Sequence, residues 1–156
     1  TCTDISQNAV DNIRANIDKY QLNDCMTAVQ SDLFEFLTVG DTKKFDLIFW
    51  HFPYATSTKS AHEFDEVEKT VFDPGYLLFE KYVRSADHYL TPNTGRICVA
   101  FSPEIGDYKL LCDLSAKYGR VVEPIIENDT ITSDDIPPNI MPGAKFGIYE
   151  LSMKSK

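Results

Sequence analysis

The apolar run at residues 45–50, Phe-Asp-Leu-Ile-Phe-Trp, constrains the fold of this chain most. A run this short and this apolar predicts a strand that is buried within a sheet. It is followed by His51-Phe52-Pro53-Tyr54, a polar and aromatic segment that a proline stiffens. Open α/β sheets bind their ligands beyond the carboxyl ends of their strands. The sequence therefore predicts that these four residues face a ligand.

Strand-like and helix-like segments alternate along most of the chain. Ser6 is a predicted N-cap, and apolar residues from Val10 to Tyr20 follow it at helical spacing. The predicted strands are 2–4, 25–30, 45–50, 96–101, 121–126 and 145–153, and the later helices are 76–90 and 107–118. Alternation of this kind requires right-handed crossovers between parallel strands. The last two strands adjoin through a loop at 127–143 and predict an antiparallel pair. The expected fold is α/β, mostly parallel with a C-terminal antiparallel strand.

Two details of this prediction concern helices. In helix 76–90 the inner stripe is expected to contain Leu78, Tyr82, Ala86 and Tyr89, with Leu77, Val83 and Leu90 widening it. Short helices are also possible at 33–37 and within the polar loop 55–72.

Length and charge restrict the class of protein. The chain has 156 residues, which is the size of one domain, and a formal net charge of −9. Nucleic-acid binders normally present a basic face, so this charge favours a small molecule or a protein as the partner. No apolar run approaches the roughly 20 residues that span a bilayer, so no membrane association is expected.

The cysteine pattern indicates the compartment. Cys2, Cys25, Cys98 and Cys112 are widely spaced, without a CxxC motif or a Cys/His cluster of zinc spacing. This usage predicts reduced thiols in a cytoplasmic protein that has no metal site.

Acidic residues follow the first two predicted strands. Asp4 could accept hydrogen bonds from the hydroxyls of a ribose, as acids at such strand ends commonly do, or it could simply favour the helix that follows. Asp32 could accept an adenine amine, with the backbone N–H of Leu33 at the ring, or it could be an ordinary turn residue. Two acids at successive strand ends make the ligand interpretation stronger than either does alone.

The segment after the third strand also allows two interpretations, both for His51 and for Tyr54. A neutral His51 could accept a hydrogen bond from a substrate amine, or it could be an exposed loop histidine. Tyr54 could stack on a planar substrate, or it could cover the core.

These residues resemble the class I S-adenosylmethionine-dependent methyltransferases, in particular the methyltransferase small group with its ribosomal RNA guanine-N2 and release-factor glutamine-N5 enzymes. The matching stretches, in order, are Thr3-Asp4-Ile5-Ser6, Ser31-Asp32-Leu33, residues 45–48 with His51-Phe52-Pro53-Tyr54, and Leu90-Thr91-Pro92-Asn93-Thr94-Gly95. The resemblance implies a Rossmann-like methyltransferase sheet and S-adenosylmethionine as cofactor. It also implies that Asp4, Ile5, Asp32 and Leu33 bind the cofactor and that His51, Phe52, Pro53 and Tyr54 hold the substrate nitrogen.

The chain departs from the family pattern in two places. The family segment reads Asn/Asp-Pro-Pro-Tyr/Phe, so His51 stands in place of Asn and Phe52 in place of the first Pro. The family's first strand and its Gly-rich turn have no counterpart before Thr1. Residues 1–156 are therefore expected to be a single methyltransferase-like domain that is N-terminally incomplete. A preceding segment or a partner chain would complete its sheet.

Three functions are consistent with the sequence. The first is N-methylation of a protein or an RNA, and the negative charge favours the protein. The second is a catalytically inactive methyltransferase-like binding or scaffold module, which the altered tetrapeptide would suit. The third is another nucleotide-binding protein of doubly wound fold, such as a dehydrogenase, although the chain has no Gly-rich fingerprint.

Overall fold

The computed structural model describes residues 1–37, 43–55, 57, 59, 61–65, 67–127 and 146–154. Nearly all of the predicted loop 127–143 lies outside these residues. The chain divides into two compact units, Thr1–Lys43 and Lys44–Lys156.

The first unit is a parallel two-stranded sheet with one helix. Strand β1, Cys2–Asp4, pairs in parallel with β2, Ala28–Gln30, and helix α1, Gln7–Lys19, connects them. Ser6 caps α1 as predicted, because its hydroxyl accepts a hydrogen bond from the N–H of Ala9. This βαβ connection is the one that the alternating pattern predicts.

The apolar residues of α1 form the small core of this unit. Val10 and Ile17 pack with Ala28 of β2. Tyr20 does not join them: it follows the helix as its C-cap and is 61% exposed. The expectation that the apolar face extends to Tyr20 was wrong, because the helix ends one residue earlier.

Two expectations for the end of this unit need correction. Strand β2 begins at Ala28 rather than at residue 25, since residues 23–25 form a turn. Residues 32–37 form turns and a bend rather than a short helix. Leu33 has a left-handed backbone there, with φ of 49°, which a helix does not allow.

The second unit is built on a four-stranded mixed sheet. The strands are β3 Leu47–Trp50, β4 Arg96–Phe101, β5 Arg120–Glu127 and β6 Gly147–Met153. Their order in the sheet is β3-β4-β6-β5, in which β3 and β4 are parallel and β6 is antiparallel to both of its neighbours. The predicted antiparallel pair is confirmed, and β6 lies between β4 and β5.

Two helices accompany this sheet. Helix α2, Leu77–Ala86, precedes β4, and helix α3, Tyr108–Lys117, lies between β4 and β5. Short 3₁₀ turns at 61–63, 68–70, 74–76 and 87–89 occupy the loops around α2. The 3₁₀ turns at 61–63 and 68–70 are the helical structure that loop 55–72 was expected to contain.

The core of the second unit lies on one face of the sheet. Buried residues of β4 and β6 include Ile97, Val99, Phe101 and Leu151. The Tyr82 hydroxyl of α2 donates to the carbonyl oxygens of both Ile48 and Cys98, so this helix lies over β3 and β4. The other face of β3 is different: Leu47 is 58% exposed and Phe49 is 51% exposed. The prediction of a buried strand was therefore wrong for these two residues of β3.

Helix α2 is shorter than predicted, but three of its predicted inner residues, Tyr82, Val83 and Ala86, are buried. It begins at Leu77 because Tyr76 has a left-handed backbone, and a 3₁₀ turn replaces its expected last turn. The buried residues follow the spacing i, i+3, i+4, i+7 and are Phe79, Tyr82, Val83 and Ala86. Leu77 and Leu78, which were expected to point inward, are 64% and 39% exposed.

Three further observations concern the cysteines, membrane-spanning helices and metal ligands. All four cysteines are unpaired, and of these only Cys98 is buried. Among the described residues, no helix is long and apolar enough to cross a membrane. No group of three or more His, Cys, Asp or Glu residues within those ranges is arranged to hold a metal ion.

Candidate functional site

Asp4 and Ile5 lie where β1 ends and α1 begins. The Asp4 Oδ1 atom accepts a hydrogen bond of 2.7 Å from the N–H of Ser6, the N-cap of α1. The Ile5 carbonyl accepts one of 3.0 Å from the Gln30 side chain, which ties the end of β1 to the end of β2. This contact with the helix start fits the interpretation in which Asp4 simply favours the helix that follows. A carboxylate accepts several hydrogen bonds, so the same contact is compatible with binding a ribose hydroxyl.

Asp32 and Leu33 lie in the turn that follows β2. Ser31, which is 8% exposed, fixes this turn: its hydroxyl donates to the Leu33 carbonyl and accepts from the Phe36 N–H. The left-handed backbone of Leu33 is unfavourable for a residue with a Cβ, by about 1–2 kcal/mol. Strained residues of this kind cluster at binding sites, which makes this turn a candidate site.

A pocket of about 400 Å³ lies beside these residues, entirely within the first unit. Its lining residues are Ile5, Gln30, Ser31, Asp32, Glu35 and Phe36. Ile5 is 69% exposed, which is unusual for an isoleucine and gives the pocket an apolar wall beside the Asp32 carboxylate. An apolar surface next to hydrogen-bond acceptors suits a purine ring with an exocyclic amine. Asp4 and Leu33 adjoin the pocket in sequence but do not line it.

His51 is the first residue after β3, and its side chain is exposed. Its ring meets the ring of Tyr54 edge-on, with the centroids 5.7 Å apart. Partial burial against its neighbours lowers the pKa of His51 below 6.5, so the imidazole is neutral at pH 7. A neutral imidazole has one nitrogen that can accept a hydrogen bond from a substrate N–H.

Phe52 is part of the core rather than of the surface. The side chain is 1% exposed and packs among aromatic residues of β3, α2 and β4. Its ring neighbours are Trp50, Tyr54, Tyr76, Phe79 and Phe101, with centroid distances from 4.8 to 6.1 Å. In this position only the backbone of Phe52 can face a substrate.

Pro53 and Tyr54 are also buried, and Tyr54 is 7% exposed. Its ring lies 5.1 Å from that of Phe101. Burial, followed by the proximity of Tyr76, raises the pKa of Tyr54 to about 12, so its hydroxyl stays protonated at neutral pH and cannot act as a base. The geometry favours the reading in which Tyr54 covers the core.

Two buried residues, Asp73 and Tyr76, were not predicted as site residues. Asp73 is 2% exposed and accepts hydrogen bonds from the backbone N–H groups of Leu78 and Phe79 at the start of α2. Tyr76 is fully buried, and its hydroxyl donates to the Tyr54 carbonyl. The sequence Asp-Pro-Gly at 73–75 predicts a turn with Asp73 as a helix cap, but a tyrosine directly after it gives no sign of a left-handed backbone.

The predicted residues thus form two groups. Asp4, Ile5, Asp32 and Leu33 lie in the unit Thr1–Lys43, and the tetrapeptide lies in the unit Lys44–Lys156. Each group is at the carboxyl end of its own parallel strands.

Comparison with known proteins supports the family resemblance. No family model matches the chain. It is 35% identical over 99 residues to a ribosomal protein uL3 glutamine methyltransferase of Francisella tularensis subsp. tularensis (strain SCHU S4 / Schu 4), a match that covers 60% of this chain and 31% of the relative. The chain therefore spans about a third of the length of the curated relative it matches.

A solved structure gives the corresponding result for the fold. The precorrin-6y C5,15-methyltransferase of Geobacter metallireducens GS-15 matches with a TM-score of 0.56 at 14% sequence identity, over 98% of this chain and 65% of that chain. The predicted Rossmann-like α/β fold is confirmed. The predicted resemblance to S-adenosylmethionine-dependent methyltransferases is confirmed by the sequence match to a methyltransferase, and the solved structure agrees with it in fold.

Proposed function

We propose that this chain forms part of an S-adenosylmethionine-dependent methyltransferase that methylates a nitrogen atom of a protein. The observation that carries this proposal is the segment His51-Phe52-Pro53-Tyr54, which follows a parallel strand in a chain with a methyltransferase relative. The relative's name specifies a glutamine of a ribosomal protein, so an amide nitrogen of a protein is the substrate group we favour. Both relatives are named as enzymes, which favours activity over the scaffold alternative.

The cofactor would be held by the first unit. Asp4 would bind the ribose hydroxyls, while Asp32 and the Leu33 N–H would bind the adenine, with Ile5 against its face. The pocket beside Ile5 and Asp32 supports this assignment, because it combines an apolar wall with a carboxylate. When bound, S-adenosylmethionine supplies a methyl group on a positively charged sulfur, which makes that carbon electrophilic.

The second unit would position the nucleophile. The neutral His51 ring and the Phe52 carbonyl would each accept a hydrogen bond from the substrate nitrogen, which orients its lone pair towards the methyl carbon. Orientation of this kind is worth several kcal/mol of barrier in two-substrate reactions. The burial of Phe52 supports the arrangement, since a ring fixed in the core holds its own backbone carbonyl in place, as proline does in the family segment.

Partners and compartment follow from the same proposal. The net charge of −9 disfavours RNA, and a methyltransferase acting on a ribosomal protein would work in the cytoplasm.

Cofactor binding tests the proposal directly. S-adenosylhomocysteine titrated into the full natural protein should bind, and Asp4→Ala should weaken binding by about 10–100-fold, because it removes hydrogen bonds to a charged acceptor. Asp24→Ala, which changes an exposed acid in the turn before β2, is the matched control and should bind as the wild type does. No binding by the wild type at millimolar ligand would refute the proposal.

The substrate class is tested separately. Radiolabelled S-adenosylmethionine should transfer its methyl group to recombinant ribosomal protein uL3 or to another protein of a ribosomal extract. Label that appears only in RNA would refute the protein assignment. Label in neither, despite cofactor binding, would favour the scaffold alternative.

A further inference from the structure

The backbone of Tyr76 is strained although its side chain is fully buried. Tyr76 has φ of 53° and ψ of 42°, and the preceding Gly75 is also left-handed, with φ of 66°. Glycine adopts this conformation without cost, whereas a residue with a Cβ adopts it rarely. Such a conformation persists only where the surrounding structure enforces it.

The Tyr76 hydroxyl makes two hydrogen bonds to the backbone, one buried and one partly buried. It donates to the Tyr54 carbonyl at 2.6 Å and accepts from the Asp107 N–H at 2.7 Å. Asp107 is the N-cap of α3, and its side chain accepts from the Leu110 N–H. One hydroxyl therefore joins the last residue of the tetrapeptide to the start of α3. Burial raises the pKa of Tyr76 to about 12, which keeps this donor protonated at neutral pH.

The surrounding packing fits this hydroxyl closely. The Phe52 ring meets the Tyr76 ring edge-on at 5.5 Å. A Cβ added at Gly106 would lie 2.8 Å from the Tyr76 hydroxyl and 2.5 Å from the Phe101 ring, so only glycine leaves room there. Ala55 forms isolated β-bridges with both Phe72 and Gly106. These bridges join the segment that contains Tyr76 to the two segments that its hydroxyl contacts.

We infer that Tyr76 is a positioning residue for the tetrapeptide 51–54. Its hydroxyl fixes the Tyr54 carbonyl against the N-terminus of α3, and its ring supports Phe52, so that the backbone of the segment is held before any substrate arrives. Tyr76 itself touches no substrate. Its importance for methyl transfer rests on the proposed function, whereas the bridge and its effect on the segment do not.

Amide hydrogen exchange in the full chain tests the bridge. In Tyr76→Phe the Asp107 N–H loses its acceptor and should exchange at least tenfold faster than in the wild type, along with the Ala55 N–H of the same junction. Tyr82→Phe is the matched control, because it removes an equally buried hydroxyl that bonds to strand carbonyls instead. Asp107 exchange that is equal in the two variants would overturn the inference.

A wild-type measurement covers the case in which Tyr76→Phe does not fold. NMR should show a slowly exchanging Tyr76 hydroxyl proton with a nuclear Overhauser effect to the Asp107 amide proton. If that hydroxyl proton exchanges as fast as that of an exposed tyrosine, such as Tyr20, the bridge does not exist.

Kinetics test the positioning role, with S-adenosylmethionine and recombinant uL3 as the substrates. Tyr76→Phe should lower kcat at least tenfold and leave KM for S-adenosylmethionine unchanged, whereas Tyr82→Phe should leave kcat unchanged. An unchanged kcat in Tyr76→Phe would refute the positioning role. A wild type that transfers no methyl group would count against the proposed function instead, and the exchange experiment would still decide on the bridge.

Discussion

At the scale of single residues, His51 links the chemistry of the candidate site to pH. Burial lowers its pKa below 6.5, so the folded chain holds it neutral where the unfolded chain binds a proton. The stability that this neutral histidine contributes is fully present above about pH 6.5 and is lost as the pH falls through the folded-state pKa.

His51→Asn should therefore flatten the pH dependence of stability. The free energy of unfolding of the wild type should fall more between about pH 7.5 and pH 5 than that of the variant, because Asn takes up no proton. Urea denaturation at several pH values measures both. If the free energies of unfolding of the wild type and the variant change in parallel over this pH range, the imidazole is not desolvated in the fold.

Phe52 stands where the family that the chain resembles has a proline. A proline fixes its own φ, whereas Phe52 is held by a ring that is 1% exposed. Phe52→Pro, which restores the family residue, should destabilise the chain by about 3–5 kcal/mol, because it removes a buried aromatic side chain.

The control for this substitution is Phe49→Ala on β3, whose side chain is 51% exposed. Its cost should be about 1 kcal/mol or less. Chemical denaturation of both variants gives the comparison. A Phe52→Pro chain as stable as the wild type would show that the aromatic cluster does not hold this segment.

At the scale of secondary-structure elements, Asp73 determines where α2 begins. Its carboxylate accepts from the N–H groups of Leu78 and Phe79, which would otherwise be unsatisfied at the helix start. Burial raises its pKa, and the backbone donors work against that rise. Asp73 therefore stabilises the fold through these hydrogen bonds, whereas its burial disfavours the charged form of its carboxyl group.

Asp73→Ala should cost about 1–3 kcal/mol of stability, because it leaves two backbone donors without their acceptor. Asp73→Asn should cost less, since its amide oxygen keeps one acceptor. Thermal or urea unfolding should rank the variants in that order, with Asp107→Ala, an exposed N-cap on α3, closer to the wild type than Asp73→Ala. A larger loss of stability in Asp107→Ala than in Asp73→Ala would contradict the expectation that the buried acceptor contributes more than the exposed one.

The elements also show what the sequence could and could not predict. The apolar patterns located the six strands and three α-helices found in the described part of the chain, because burial dictates their periodicity. At the first turn of α2 the prediction placed Leu77 and Leu78 inward instead of Phe79. The left-handed backbone of Tyr76, which precedes this turn, depends on hydrogen bonds to Tyr54 and Asp107 that are distant in sequence. The exposure of Leu47 and Phe49 was missed for a related reason: an apolar run does not reveal whether both of its faces are covered.

The candidate site was predictable to a similar extent. The strand ends at Asp4, Asp32 and His51 followed from the position of each residue after an apolar run. Whether Phe52 and Tyr54 point to a ligand or into the core could not be decided in that way, because both orientations suit an aromatic residue after a proline-stiffened turn. Packing against Phe101 distinguishes the two orientations.

At the scale of the whole molecule, the two units differ in the size of their cores. Among the described residues, the first buries four apolar side chains, those of Val10, Ile17, Ala28 and Leu37, whereas the second buries a cluster of large aromatic side chains. Small cores open more readily, so amides of Thr1–Lys43 should exchange with solvent faster than those of β4 and β6.

The proposed cofactor residues lie in this less stable unit, which leads to a prediction about the ligand. S-adenosylhomocysteine at about 100 times its Kd should slow exchange in the first unit by up to about 100-fold, because binding to the folded state alone adds about 2.7 kcal/mol to its stability. Hydrogen exchange followed by mass spectrometry on the full natural protein measures this for each peptide. Asp4→Ala at the same ligand concentration should remove the effect, since it weakens binding. Protection that appeared only in the second unit would show that Asp4 and Asp32 do not hold the cofactor.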